Sequence, residues 1–271
     1  MKYRHTMIVF GLSLPVCVLL RAMQLIFTID NNTGFIKQQY TSISTLITVI
    51  VCAAAVSVGL LAVFTNEITK NAKTYRPSVA ATCMLLGGMF IFQTVASLSN
   101  LSSNAWYNIL LIFLSLASAF VFLLYGVKNV SDYQIPPMVL VVPVVYFVVK
   151  LISVFVSTSA LALVTENIFL IFTNSVLLWF VFEFACFENE IGDTLQKPTR
   201  LFASGLSAIV LCASNSIPKL IQIACYKIQI TRGDIADILL NISLALFIFS
   251  YITGNFINVR ASKKTAPKHL A

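Results

Sequence analysis

The sequence predicts an all-α fold, a polytopic transmembrane bundle of about eight helices, and three observations predict it. Of 271 residues, 58% are hydrophobic and only 10% charged, with a mean hydropathy of +0.90; a soluble domain carries about a quarter charged residues. Apolar runs of about 20 residues recur along the whole chain, each long enough to cross a hydrocarbon core of ~30 Å as a helix. Lysine and arginine collect in alternate connections, the pattern that orients a chain in a bilayer.

Spans are expected over 7–28, 43–65, 78–98, 106–127, 137–157, 164–187, 200–221 and 235–256. The opening MKYRH and the apolar run after it have the outline of a signal peptide. Arg21 interrupts the region where cleavage would fall, and no A-x-A-like site follows, so the segment reads as a retained first helix. Between helices 1 and 2, IDNNTGF (29–35) is rich in turn formers, Asp30, Asn31, Asn32 and Gly34, and predicts a tight outer turn. Asn31-Asn32-Thr33 also fits a glycosylation sequon, relevant only in a eukaryotic secretory route. Ala55 with Gly59 on helix 2, and Ser204, Ala208, Cys212 and Ser216 on helix 7, recur every four residues. Such small-xxx-small faces let backbones approach where lipid removes the usual hydrophobic drive. Connections are short, which leaves no room for a soluble catalytic domain.

Orientation follows from the cations. Lys2, Arg4, Lys70, Lys73, Arg76, Lys128, Lys197, Arg200, Arg260, Lys263, Lys264 and Lys268 fall on one side, and Lys37, Lys227 and Arg232 on the other. Both termini are therefore expected in the cytoplasm of a cell membrane. The formal charge of +8 is read as this topology signal. Nucleic-acid binding needs a basic folded surface, and none is expected here. The basic tail, 260–271, has a second reading as a segment resting on anionic lipid.

The halves are self-similar. FTNEI at Phe64 to Ile68 precedes Arg76-Pro77-Ser78, and FENEI at Phe187 to Ile191 precedes Lys197-Pro198-Thr199. Asn108-Ile109-Leu110-Leu111 parallels Asp237-Ile238-Leu239-Leu240, Ser115-Leu116-Ala117 parallels Ser243-Leu244-Ala245, and Pro15 before Arg21 parallels Pro143 before Lys150. These matches predict a parallel 4+4 repeat, with four helices in 1–131 and four in 132–259. Chance alignment of apolar helices is the competing account of the weaker ones. Parallel repeats occur in some transporters, whose sites lie near the midplane at the repeat interface.

Two cations fall inside spans. Arg21 lies fourteen residues past Met7, about 21 Å along a helix, and Lys150 is similarly deep in helix 5. Such residues normally face protein or a wet cavity. Cys17, Arg21, Gln24 and Thr28 share one face of helix 1, and Tyr146, Lys150, Ser153 and Ser157 repeat the spacing on helix 5. Three readings stand: cations tied to carboxylates and carbonyls for assembly, cations lining a shared interior that takes a ligand, or cations snorkelling to the lipid surface. Asp237 and Glu166 are the candidate counter-charges, with Asp30 further out. Gln93, Asn108, Asn174, Asn215, Lys219 and Gln222 add polar positions in the same outer half, and Pro218 is expected to loosen helix 7. The candidate ligand-binding set is Arg21, Gln24, Lys150, Ser153, Gln93, Asn215 and Asp237. Glu183 reads as an interfacial carboxylate, with a proton site as the alternative.

The inventory also excludes. The six cysteines form no CxxC pair and both histidines, His5 and His269, lie near the termini, so no metal site, cofactor or histidine chemistry is expected. No P-loop, G-x-G-x-x-G, HExxH or G-x-S-x-G is present, and no enzyme is expected.

Arg21 to Phe35, read as R-x-x-Q-L, a short apolar run, then D-x-x-T-G-F, resembles the opening of uncharacterised multi-pass membrane proteins of anaerobic Gram-positive bacteria. The resemblance covers these fifteen residues and implies a bacterial cytoplasmic membrane. Two functional expectations follow from the residues: a small transporter-like permease for an anionic or zwitterionic solute, or a non-transporting scaffold, sensor or partner subunit whose charges are structural. In both, the lipid bilayer is the first partner.

Overall fold

The computed structural model describes residues 3–28, 37–65, 68–70, 76–99, 106–131, 135–157, 164–189, 197–226 and 232–258. They form eight helices: α1 (Tyr3–Thr28), α2 (Thr41–Val63), α3 (Pro77–Ser99), α4 (Trp106–Lys128), α5 (Val142–Ser157), α6 (Val164–Glu188), α7 (Lys197–Tyr226) and α8 (Arg232–Asn255). All eight are long and apolar enough to cross a membrane, α5 together with the 3-10 turn Pro137–Val141 that leads into it. The chain is an integral membrane protein by this measure. The expected turn at 30–35 and the basic tail lie outside the described residues.

Local chemistry sets the ends. Pro77 opens α3, and Pro143 and Pro198 are the second residues of α5 and α7, where a missing N–H is harmless and the fixed φ suits a helix. Lys128 closes α4, where a cation complements the helix dipole. Pro15 and Pro218 instead sit inside α1 and α7, and both helices run on through them. α7 thus extends beyond the expected 200–221 at both ends; Pro218 does not terminate it, because packing on neighbouring helices holds the interrupted turn. Ser and Thr side chains in the spans turn back on their own helices, Thr94 to the Phe90 carbonyl and Thr173 to the Phe169 carbonyl among them. That satisfies hydroxyls where no water is at hand.

The helices alternate in direction. Thr6 of α1 meets Thr65 just past α2 at 2.8 Å, Arg76 before α3 bonds Asn255 at the end of α8, and Asn189 past α6 donates to the Pro137 carbonyl before α5 at 3.0 Å. These contacts collect at one end, termed the basic end for the lysines and arginines that the sequence places there. A short ladder closes it. β1 (Ile68–Lys70) pairs antiparallel with β2 (Phe256–Asn258), Thr69 opposite Ile257. This ladder is not among the elements expected from the sequence.

α7 is the central helix. It packs against α1, α2, α6 and α8, and every residue from 201 to 216 is buried. Its small side chains explain the position. A Cβ on Gly59 of α2 would meet Ser207 Oγ of α7 at 2.5 Å, and Ser207 Oγ donates to the Ala55 carbonyl at 2.9 Å, so α2 and α7 touch along the small-residue faces read in the sequence. Away from α7, the space between α3, α4, α5, α6 and α8 is filled by rings. Phe90 stacks on Phe122 at 5.6 Å, Tyr146 meets Phe90 edge-on at 5.2 Å, and Phe247 meets Phe184 at 5.7 Å.

The packing does not display the expected duplication. A twofold relation between halves would make α3 the counterpart of α7, yet α7 is central while α3 lies on the outside of the bundle. α3 lies along α8, with no comparable α4–α7 interface among the described residues. The paired loop motifs also differ in setting, since Phe64 is 65% exposed and Phe187 only 6%.

Candidate functional site

Among the described residues, Lys150 on α5 and Asp237 on α8 form an ion pair within the spans. Lys150 Nζ donates to Asp237 Oδ1 at 2.6 Å. Gln93 Nε2 of α3 donates to the same oxygen at 3.2 Å, and the ammonium lies 5.9 Å from the centre of the Tyr146 ring. Lys150 precedes the end of α5 by seven residues, Gln93 the end of α3 by six, and Asp237 follows the start of α8 by five. All therefore sit at one depth, about 8–10 Å from the end of the bundle opposite the basic one. The lysine side chain is 14% exposed and the aspartate 46%, so the pair is sealed on one side and open on the other. Gln93 Oε1 is buried and bonds nothing among the described residues.

Arg21 occupies a different cluster. Its Nη1 donates to Gln24 Oε1 at 2.6 Å and to Thr48 Oγ1 at 3.4 Å, and its guanidinium carbon lies 4.5 Å from the centre of the Phe169 ring on α6. Gln24 Nε2 donates in turn to the Ser44 carbonyl at 2.8 Å, Ser44 Oγ at 2.7 Å and Thr48 Oγ1 at 3.0 Å. The predicted face of α1 is thus buried throughout, with Cys17, Arg21, Gln24 and Thr28 all at 3% exposure or less. It is a sealed knot of α1, α2 and α6. A desolvated guanidinium held by an amide, a hydroxyl and a ring face is one arrangement that lets a cation lie inside a membrane.

The sequence expectation that Arg21 and Lys150 share one interior is corrected here. Their described partners come from different helices, and each cation is matched locally. Of the other expected site residues, Ser153 is half-buried on α5, and Asn215 is buried on α7 with its Oδ1 unpartnered among the described residues. Asn215 is flanked by Ser214 and Ser216, whose hydroxyls are also buried and without described partners. Pro218 removes the amide donor that the Ser214 carbonyl would accept in an unbroken helix. The side chain of Glu166 lies outside the described residues.

A further cluster ties the basic end, and sequence reading missed it. Glu188, the last residue of α6, accepts from Lys128 Nζ at 3.1 Å and from the Tyr251 hydroxyl at 2.7 Å. The glutamate side chain is 8% exposed. Its signal lies in FENEI, where the first glutamate stands in place of the Thr65 of FTNEI. Among the described residues, no three His, Cys, Asp or Glu side chains gather as a metal site.

No protein-family model, curated protein or solved structure matches the chain.

Proposed function

We propose that the protein is a small permease of a bacterial cytoplasmic membrane, with both termini in the cytoplasm, and that it takes a zwitterionic solute at Lys150, Asp237 and Gln93. The observation that carries this reading is the ion pair itself: opposite charges 2.6 Å apart within spans, the acid half-exposed and the base nearly enclosed. Ionisable groups inside a membrane are costly and mark solute or ion paths by default. A carboxylate accepts from an incoming ammonium, and an ammonium with three donors keeps two for an incoming carboxylate. Gln93 Oε1 supplies a further acceptor, buried and without a described partner. The pair would open to admit the solute, each charge exchanging one partner for another.

Purified protein is screened for thermal stabilisation by a panel of amino acids and betaines, and any member that stabilises it is tested for uptake into proteoliposomes. Uptake by wild type and its loss in Lys150→Gln, with folded protein retained, is the expected result. Uptake equal in the two proteins refutes the site.

A second reading, a non-transporting scaffold, sensor or partner subunit, is favoured by the interior. Aromatic rings fill the space beside the pair, and Arg21 is enclosed by its own network. On that reading Lys150 and Asp237 hold α5 to α8 and nothing more. A variant with Lys150→Met and Asp237→Leu together would then fold and keep every cellular role of the wild type, whereas a permease would lose its transport.

A further inference from the structure

Among the described residues, the ring of helices around α7 is open between α1 and α8. α1 and α8 both pack on α7 but barely touch each other, and between them a groove of about 340 Å³ runs down to α7. It is lined by apolar side chains. Gly11, Ala213 and Ala245 leave it open, while Phe10, Leu246 and Phe249 border it. Leu246 and Phe249 are 48% and 44% exposed, so the groove faces outward, toward lipid in a membrane. A Cβ built on Gly11 meets nothing within 4 Å.

Arg4 lies seven residues before Gly11 in α1, on the same helix face and about 10 Å nearer the basic end. Its side chain is exposed, and no carboxylate among the described residues pairs with it. An apolar slot below an exposed guanidinium is complementary to one kind of molecule available at that depth: an acyl chain carrying a negative headgroup. Guanidinium recognises phosphate in a planar, two-point fashion, and surface cations attract anionic lipid.

We infer that the α1–α7–α8 groove is a binding site for an anionic phospholipid, one acyl chain lying over Gly11, Ala213 and Ala245 and the phosphate meeting Arg4. The site is separate from Lys150 and Asp237 and stands whether or not the permease reading holds.

The test uses the full chain in detergent, with dioleoyl-phosphatidylglycerol or dioleoyl-phosphatidylcholine added to mixed micelles. Thermal unfolding is measured for wild type, Arg4→Gln, Gly11→Trp and Ala245→Leu. Phosphatidylglycerol is expected to raise the wild-type midpoint by about 5 °C more than phosphatidylcholine does. Arg4→Gln removes that difference. Gly11→Trp fills the groove and loses the response to both lipids; Ala245→Leu fills it from α8 and gives the same loss should the indole disturb folding. Equal responses of wild type to the two lipids overturn the proposal, as does a groove-filled variant that folds and responds like wild type. A wild-type dimer in sedimentation that Gly11→Trp dissociates also overturns it, because the occupant is then a second copy of the chain.

Discussion

Lys150 Nζ lies 2.6 Å from Asp237 Oδ1, joining α5 to α8, yet the two partners are unequally enclosed by the protein: 14% of the lysine side chain is exposed and 46% of the aspartate. Removing one partner of a buried pair costs more than the pair was worth, because the survivor is left charged and unsolvated. The survivor matters here. Asp237→Asn leaves the enclosed ammonium without its counter-charge and is expected to cost about 2–4 kcal/mol. Lys150→Met leaves a carboxylate that the protein encloses less, within two turns of the helix end, and is expected to cost about 1 kcal/mol or less. Thermal unfolding of both variants in detergent checks the order; equal losses, or the reverse order, contradict this account of the pair.

Gln24 is the hub of the knot around Arg21. It accepts from the guanidinium and donates to Ser44 and Thr48, all of them buried. Gln24→Leu keeps the volume and strands those polar groups together, at an expected cost of about 2–4 kcal/mol. Arg21→Lys is expected to destabilise by at least about 1 kcal/mol, since a compact ammonium does not reproduce a planar group lying over the Phe169 ring. The measurement is the unfolding midpoint of each purified variant, and a Gln24→Leu protein as stable as wild type would show the knot to be dispensable.

The eight spans were legible because length and apolar composition alone set them, and the observed ends lie close to those expected. The buried stripe of α1 was legible too, because polar residues in a membrane helix have few places to go; Asp237 was correctly named as a counter-charge for the same reason. What was not legible is which helix neighbours which. In a soluble protein the apolar face of a helix points inward, but here lipid and interior are equally apolar, so periodicity carries little direction. The central place of α7 illustrates this. It is the least apolar of the eight spans and the most buried, its inward role marked by Ser, Ala, Gly and Cys in place of Leu and Phe. Ser44, Thr48 and Phe169, which the structure brings to the Arg21 cluster, come from helices whose adjacency no local pattern encodes.

Glycine substitutions separate protein-facing from lipid-facing surface. A Cβ on Gly205 of α7 would meet Ile252 Cδ1 at 2.6 Å, Ile248 Cγ2 at 3.1 Å and Phe180 Cε2 at 3.3 Å, so α8 and α6 both press on it. Gly205→Ala is expected to cost about 1–3 kcal/mol by overpacking. On Gly88 of α3 the same atom meets nothing within 4 Å, and Gly88→Ala is expected to be neutral or to stabilise by up to about 1 kcal/mol through helix propensity. Unfolding midpoints that fall alike in the two variants would mean that α7 is not the central helix of the folded bundle.

At the basic end, Glu188 holds the Tyr251 hydroxyl at 2.7 Å and Lys128 Nζ at 3.1 Å, and again the partners are unequal. Tyr251 is fully buried, while the Lys128 side chain is 34% exposed. Glu188→Ala therefore frees a lysine that water can reach and strands a hydroxyl that water cannot. Tyr251→Phe alone also costs stability, about 1–2 kcal/mol, because the carboxylate loses a donor in a nearly closed site. In the double variant the stranded hydroxyl and the bereft carboxylate are both gone, so the combined loss is expected to fall short of the sum of the single losses by about 1 kcal/mol or more. A double-mutant cycle on unfolding midpoints, with Lys128→Met in a parallel cycle, measures both couplings. The tyrosine coupling is expected to exceed the lysine coupling despite the lysine's charge, because a surface-accessible ion pair is worth little. Strict additivity between Glu188 and Tyr251 would show that this end of the bundle is held by the packing of Phe184, Phe247 and Tyr125 around them and not by the hydrogen bond.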